Sequence, residues 1–79
     1  MKKEDIKKTL ISYLEGRTAY SLLEDRITDY LEWKKLENVK LKRDMICNDM
    51  RGAKFLIDSG KISDGIRQYE FVRDYVLAY

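Results

Sequence analysis

Histidine and proline are both absent from this 79-residue chain, and cysteine occurs once, at Cys47. Without histidine the chain lacks the usual side-chain base near neutral pH, which excludes Ser-His-Asp and Cys-His chemistry and most zinc sites. A single cysteine cannot close an intramolecular disulfide and fits a reducing compartment. No apolar run approaches the roughly 18 residues of a membrane span, so no membrane role is expected. In MKKEDIKKTL the lysines are followed by Glu4 and Asp5 where a secretory signal would have an apolar stretch, so the expected location is the cytoplasm. A strong charge of one sign is missing too: 16 Lys and Arg face 14 Asp and Glu, a net charge of +2. Any pull on nucleic acid must then come from a local patch.

Glycine is sparse and isolated, at Gly16, Gly52, Gly60 and Gly65, and no glycine-rich loop cradles a phosphate. The pairs Asp44/Asp49 and Asp25/Asp29 lack a recognised metal-ligand spacing, and charged helix faces produce such pairs by default. Cys47, beside Ile46 and Met50, reads as a small packing residue. No catalytic, cofactor-binding or metal-binding residue is assigned, and an enzyme is not expected.

What is present is helical periodicity with few breakers. The sequence predicts one all-α domain over residues 1–79, a small bundle of three or four helices with a central helical hairpin. Its helices are expected over about residues 3–15, 19–36, 44–59 and 63–78. Ile6, Leu10, Ile11, Tyr13 and Leu14 share the first inner face, and Gly16 fits the position after its cap. Ser21 with Glu24 has the capping-box pattern for the second, in which Leu22, Leu23, Ile27, Tyr30 and Leu31 recur at helical spacing. Residues 34–43, KKLENVKLKR, show no clean face and are expected to form the hairpin turn, with Asp44 capping the third helix, Gly60 closing it, and Met45, Ile46, Met50, Ala53, Phe55, Leu56 and Ile57 as its apolar set. Ser63 or Asp64 should cap the fourth. The seam Val39, Ile46, Met50, Ala53 and Ile57 leaves a rival geometry open, in which helices two and three fuse into one rod.

The closing stretch carries more apolar surface than a small domain needs. On a helix, Tyr69, Val72, Tyr75, Val76 and Tyr79 fill one arc, with Phe71 and Ala78 extending it. A helix this apolar is central to a bundle or binds another chain, so Tyr69, Phe71, Val72, Tyr75, Val76 and Tyr79 are the candidate partner-binding residues. The Tyr69, Val72 and Val76 side is expected to complete the core, leaving the Phe71, Tyr75, Ala78 and Tyr79 flank for a partner. Homo-oligomerisation would add stability that one core of this size lacks.

Lys34, Lys35, Lys40, Lys42 and Arg43 form the one basic cluster, with Trp33 and Tyr30 beside it able to stack on bases. They are the candidate nucleic-acid contacts. A helix-turn-helix around Gly60 fits poorly, because Asp64, Glu70 and Asp74 oppose Arg67 and Arg73 on the would-be recognition helix. Gly52, costly within a helix, would let another helix approach, with Arg51 free to contact a partner.

Leu23-Glu24-Asp25-Arg26-Ile27, a polar turn, and Met50-Arg51-Gly52-Ala53 leading into Phe55-Leu56-Ile57 resemble small phage-encoded helical-hairpin proteins over about residues 22–57. The resemblance implies a mobile-element origin. The expected function is a protein–protein interaction protein: a phage or mobile-element accessory, adaptor or inhibitor that self-associates or binds a host or viral protein. The alternative is a small nucleic-acid-binding regulator using the Lys34 to Arg43 cluster.

Overall fold

The computed structural model describes residues 2–79. They form four helices, α1 (Lys3–Leu14), α2 (Tyr20–Trp33), α3 (Val39–Asp58) and α4 (Ile62–Leu77), with no strand among the described residues. Short connections make sequential neighbours antiparallel, and every helix packs against α3 or against a helix that does. The radius of gyration is 11.8 Å, close to the roughly 11.6 Å expected of a compact chain of this length.

The inner faces follow the predicted periodicity in part: Ile11, Leu22, Met45 and Phe55, expected among the apolar sets, are exposed at the edges or backs of their helices. Ile6, Leu10 and Tyr13 of α1, Leu23, Ile27, Tyr30 and Leu31 of α2, Ile46, Cys47, Met50 and Ala53 of α3, and Tyr69, Val72 and Val76 of α4 form one core. The seam from Val39 through Met50 to Ala53 is real, but it belongs to α3 alone. It ends at Val39 because α2 has already stopped, so the fused rod does not form.

Three helices end in the same way, with the residue after the C-cap in the left-handed region and two backbone bonds folding back. Arg17 N–H donates to Ser12 O and Gly16 N–H to Tyr13 O; Lys61 N–H donates to Leu56 O and Gly60 N–H to Ile57 O. Gly16 and Gly60, at φ 80° and 88°, occupy the left-handed positions as expected. The end of α2 repeats the motif without glycine. Leu36 N–H donates to Leu31 O and Lys35 N–H to Glu32 O, which places Lys35 at φ 57°. Leu36 then packs on the core that holds Leu31, and this apolar pair drives the turn.

The hairpin turn is therefore residues 34–38, and the expected turn over 34–43 is corrected. Val39 to Arg43 are the first turn of α3, entered through Asn38 at φ 54°, a conformation asparagine tolerates better than most residues. Asp44 is inside the helix and receives the Arg43 guanidinium at 2.9 Å, so it is not the cap. Ser21 and Glu24 make no capping box either, because α2 starts at Tyr20 with Ala19 as its cap. Ser63 and Asp64 lie within the first turn of α4, whose cap position is Lys61. Since a left-handed lysine costs about 1 to 2 kcal/mol, Lys35→Gly is expected to stabilise the fold by about 1 kcal/mol after the entropic cost of glycine. Urea denaturation would show this as a higher midpoint with an unchanged slope.

The backbones of α3 and α4 approach each other closely at Gly65. A Cβ there would lie 2.8 Å from Ala53 O and 3.1 Å from Ile57 N, so the α3 backbone itself occupies the space.

Candidate functional site

Among the described residues ten large apolar side chains are exposed, and seven of them, Leu41, Met45, Phe55, Ile62, Ile66, Phe71 and Tyr75, belong to α3 and α4. The antiparallel register of this helix pair is fixed by three contacts along it: Lys42 Nζ lies 5.8 Å from the centre of the Tyr79 ring, the Gln68 amide donates to Asp49 O at 2.8 Å, and Ala53 meets Gly65. On α3, Leu41, Met45 and Phe55 sit opposite the buried Ile46, Met50 and Ala53, and all three are exposed. On α4, Phe71 and Tyr75 are exposed on the flank that faces them. Leu56 and Phe71 line a shallow groove between the two helices together with Asp64, Arg67 and Gln68. Gly52 keeps the middle of this face low: a Cβ there would come 2.7 Å from the Gln68 side-chain nitrogen, so the glutamine amide lies flat across it.

The six candidate contact residues of α4 divide across the helix. Tyr69, Val72 and Val76 are buried in the chain's own core, so they cannot be the outward contacts, and that assignment is corrected. Phe71, with 69% of its surface exposed, and Tyr75 remain available, and Tyr79 is half-buried beside them. Tyr75 and Tyr79 meet edge to face at 5.2 Å, and the Tyr79 hydroxyl donates to that of Tyr75 at 2.7 Å. Burial first, and the bond to Tyr75 second, push the Tyr79 phenol up to about 12. The Tyr79 phenol thus stays neutral at physiological pH, and its ring is suited to a partly apolar contact. The sequence pattern had no way to expose Leu41, Met45 and Phe55 as part of the same surface, because they are distant in the chain and meet α4 only in the fold. Phe55 was expected in the inner set of α3 and is instead 69% exposed.

Arg51 is not free for a partner. Its guanidinium stacks 4.7 Å from the centre of the Tyr20 ring and donates to Asn48 at 3.4 Å, bridging α3 to the start of α2.

The basic candidates gather at the pole where α2 ends and α3 begins. Lys42 donates to Glu37 O and leans over Tyr79, and Arg43 is held by Asp44, so these two are engaged within the chain. Lys35 and Lys40 are exposed, and Lys34 is half-buried; none of the three forms an ion pair among the described residues. Trp33 is 55% exposed, and its other side is held by Tyr30 at a centroid distance of 6.3 Å. The fold adds residues to this pole that the linear cluster did not contain. α1 and α2 run antiparallel, with Ser12 meeting Thr18 at one end and Asp5 and Arg26 lining one groove further along, so Lys2 and Lys3 lie at the same end of the bundle as the end of α2.

That groove between α1 and α2 has a volume of about 460 Å³. Its polar groups serve the fold: the Asp5 carboxylate accepts the Lys2 backbone N–H at 3.2 Å, and Thr18 donates to the Ser12 hydroxyl at 2.7 Å. Cys47 is fully buried, and desolvation first among the causes pushes its thiol up to about 12. It is a packing residue, not a reactive thiolate. Among the described residues no group of three or more acidic, cysteine or histidine side chains is placed to hold a metal, and no helix is long and apolar enough to cross a membrane. Comparison with protein-family models, with curated proteins and with solved structures gave no match.

Proposed function

We propose that this chain is a protein–protein interaction module that self-associates through the outer face of its α3–α4 hairpin. What supports the reading is the exposure of Leu41, Met45 and Phe55 on α3 and of Phe71 and Tyr75 on α4, two helices packed along each other, in a molecule whose core is already complete without them. Single exposed apolar residues are ordinary, whereas several on two adjacent helices suit an interface. Two-fold pairing of identical faces closes such an assembly without fibres. It also supplements a core that, at this size, gives only about 3 to 5 kcal/mol.

In this reading the protein acts in the cytoplasm as an adaptor or inhibitor, and the resemblance of residues 22–57 to phage-encoded helical hairpins supports a mobile-element accessory role. Light scattering at micromolar concentration tests it. The wild-type mass should exceed the 9.4 kDa of one chain, and Phe55→Asp with Phe71→Asp should return it to that value with the helical content unchanged. A wild-type chain that stays monomeric to millimolar concentration would sink the proposal.

A further inference from the structure

The pole formed by the start of α1, the end of α2 and the start of α3 has a chemistry different from that of the α3–α4 face. Exposed Lys2, Lys3, Lys35 and Lys40 lie at the same end of the bundle as the exposed Trp33, drawn from three helix ends. Glu4, Glu32 and Glu37 are interspersed among them, so the positive charge is local and divided rather than a continuous sheet. Trp33 is the only tryptophan, and its ring is braced on one side by Tyr30 at an interplanar angle of 34° while its free side faces solvent.

From this juxtaposition we infer that the pole binds a short segment of single-stranded nucleic acid, with Trp33 stacking on a base and the surrounding lysines meeting flanking phosphates. A braced aromatic platform is what an unpaired base requires, and a duplex keeps its base faces stacked and out of reach. The separated lysines suit the discrete phosphates of a flexible strand, whereas the interspersed glutamates would repel a flat anionic membrane. This inference does not depend on self-association, because the pole lies at the end of the bundle and the proposed interface along its side.

The single tryptophan makes the test specific to the site. Titration of the intact protein with a thymidine oligonucleotide of about ten nucleotides, in roughly 50 mM salt, should quench Trp33 fluorescence. Log affinity should fall against log salt with a slope of about −3, as expected for about four phosphates on a single strand. Lys3→Glu, Lys35→Glu and Lys40→Glu together, all at exposed positions, should lower the affinity at least about tenfold. The anisotropy of a labelled oligonucleotide gives the same affinity independently of the tryptophan, and Trp33→Leu should weaken it. Absence of binding, binding that leaves Trp33 fluorescence unchanged, or binding indifferent to the three charge reversals would each overturn the inference. So would phosphatidylglycerol vesicles that shift the Trp33 emission when the oligonucleotide does not.

Discussion

Val76→Asp should unfold the chain, whereas Phe71→Asp, five positions earlier on the same helix, should leave its monomer stability within about 0.5 kcal/mol. Val76 is fully buried in the core that joins all four helices. A carboxylate there has no cationic partner and cannot reach water, and its desolvation costs several kcal/mol. That is comparable to the whole of the roughly 3 to 5 kcal/mol that one core of this size gives. Phe71 already has most of its surface in water, so the same substitution removes little from the fold. Circular dichroism should show the first variant largely unstructured and the second fully helical, while light scattering shows the second unable to associate. A Phe71→Asp variant that unfolds as readily as Val76→Asp would mean that the two flanks of α4 had been assigned wrongly.

The other large effect is expected at Gly65. An alanine Cβ would collide with Ala53 O and Ile57 N, backbone atoms of α3, as well as with the Ile57 side chain. Relief requires α4 to move away from α3 at this contact, and overpacking of this kind costs about 2 to 3 kcal/mol. For a chain of this length that corresponds to a melting temperature lower by roughly 10 to 20 °C. Gly52→Ala is the internal control. Its Cβ meets only the end of the Gln68 side chain, which can rotate away. The lost Gln68 bond to Asp49 is worth about 1 kcal/mol, and the gain in helix propensity about the same, so Gly52→Ala should lie within about 1 kcal/mol of wild type. Calorimetry on the two variants would separate a glycine required by backbone approach from one that accommodates a side chain.

Gly65 also shows where sequence reading stops. Period and breakers were enough to reach the all-helical bundle: Ile6, Leu10 and Tyr13, or Leu23, Ile27 and Tyr30, recur at the spacing of a buried helical stripe, and Gly16 and Gly60 close helices as lone glycines do. The turn after α2 was not legible in that way. Its left-handed residues are Lys35 and Asn38, which carry no breaker signal, and the one available sign was the Leu31 and Leu36 pair that brackets the motif. The glycine singled out for close helix approach was Gly52. Structure assigns that role chiefly to Gly65, which stands in the first part of α4, where a glycine looks like an ordinary helix start. Surface composition was the least legible feature. Phe71 and Tyr75 follow from the excess apolar arc of one helix, but their place on a helix adjacent to that of Leu41, Met45 and Phe55 depends on the pairing of two helices, as does the arrival of Lys2 and Lys3 at the same end of the bundle as Trp33.

Concentration-dependent amide chemical shifts of the isotopically labelled chain would test the central claim most directly. If the outer face of α3 and α4 is where one copy meets another, shifts between micromolar and millimolar protein should concentrate at Met45, Gly52, Phe55, Gln68, Phe71 and Tyr75 and spare the outer side of α1 and α2, including Lys8 and Asp25. Shifts confined to α1 and α2, or none across that range, would contradict it.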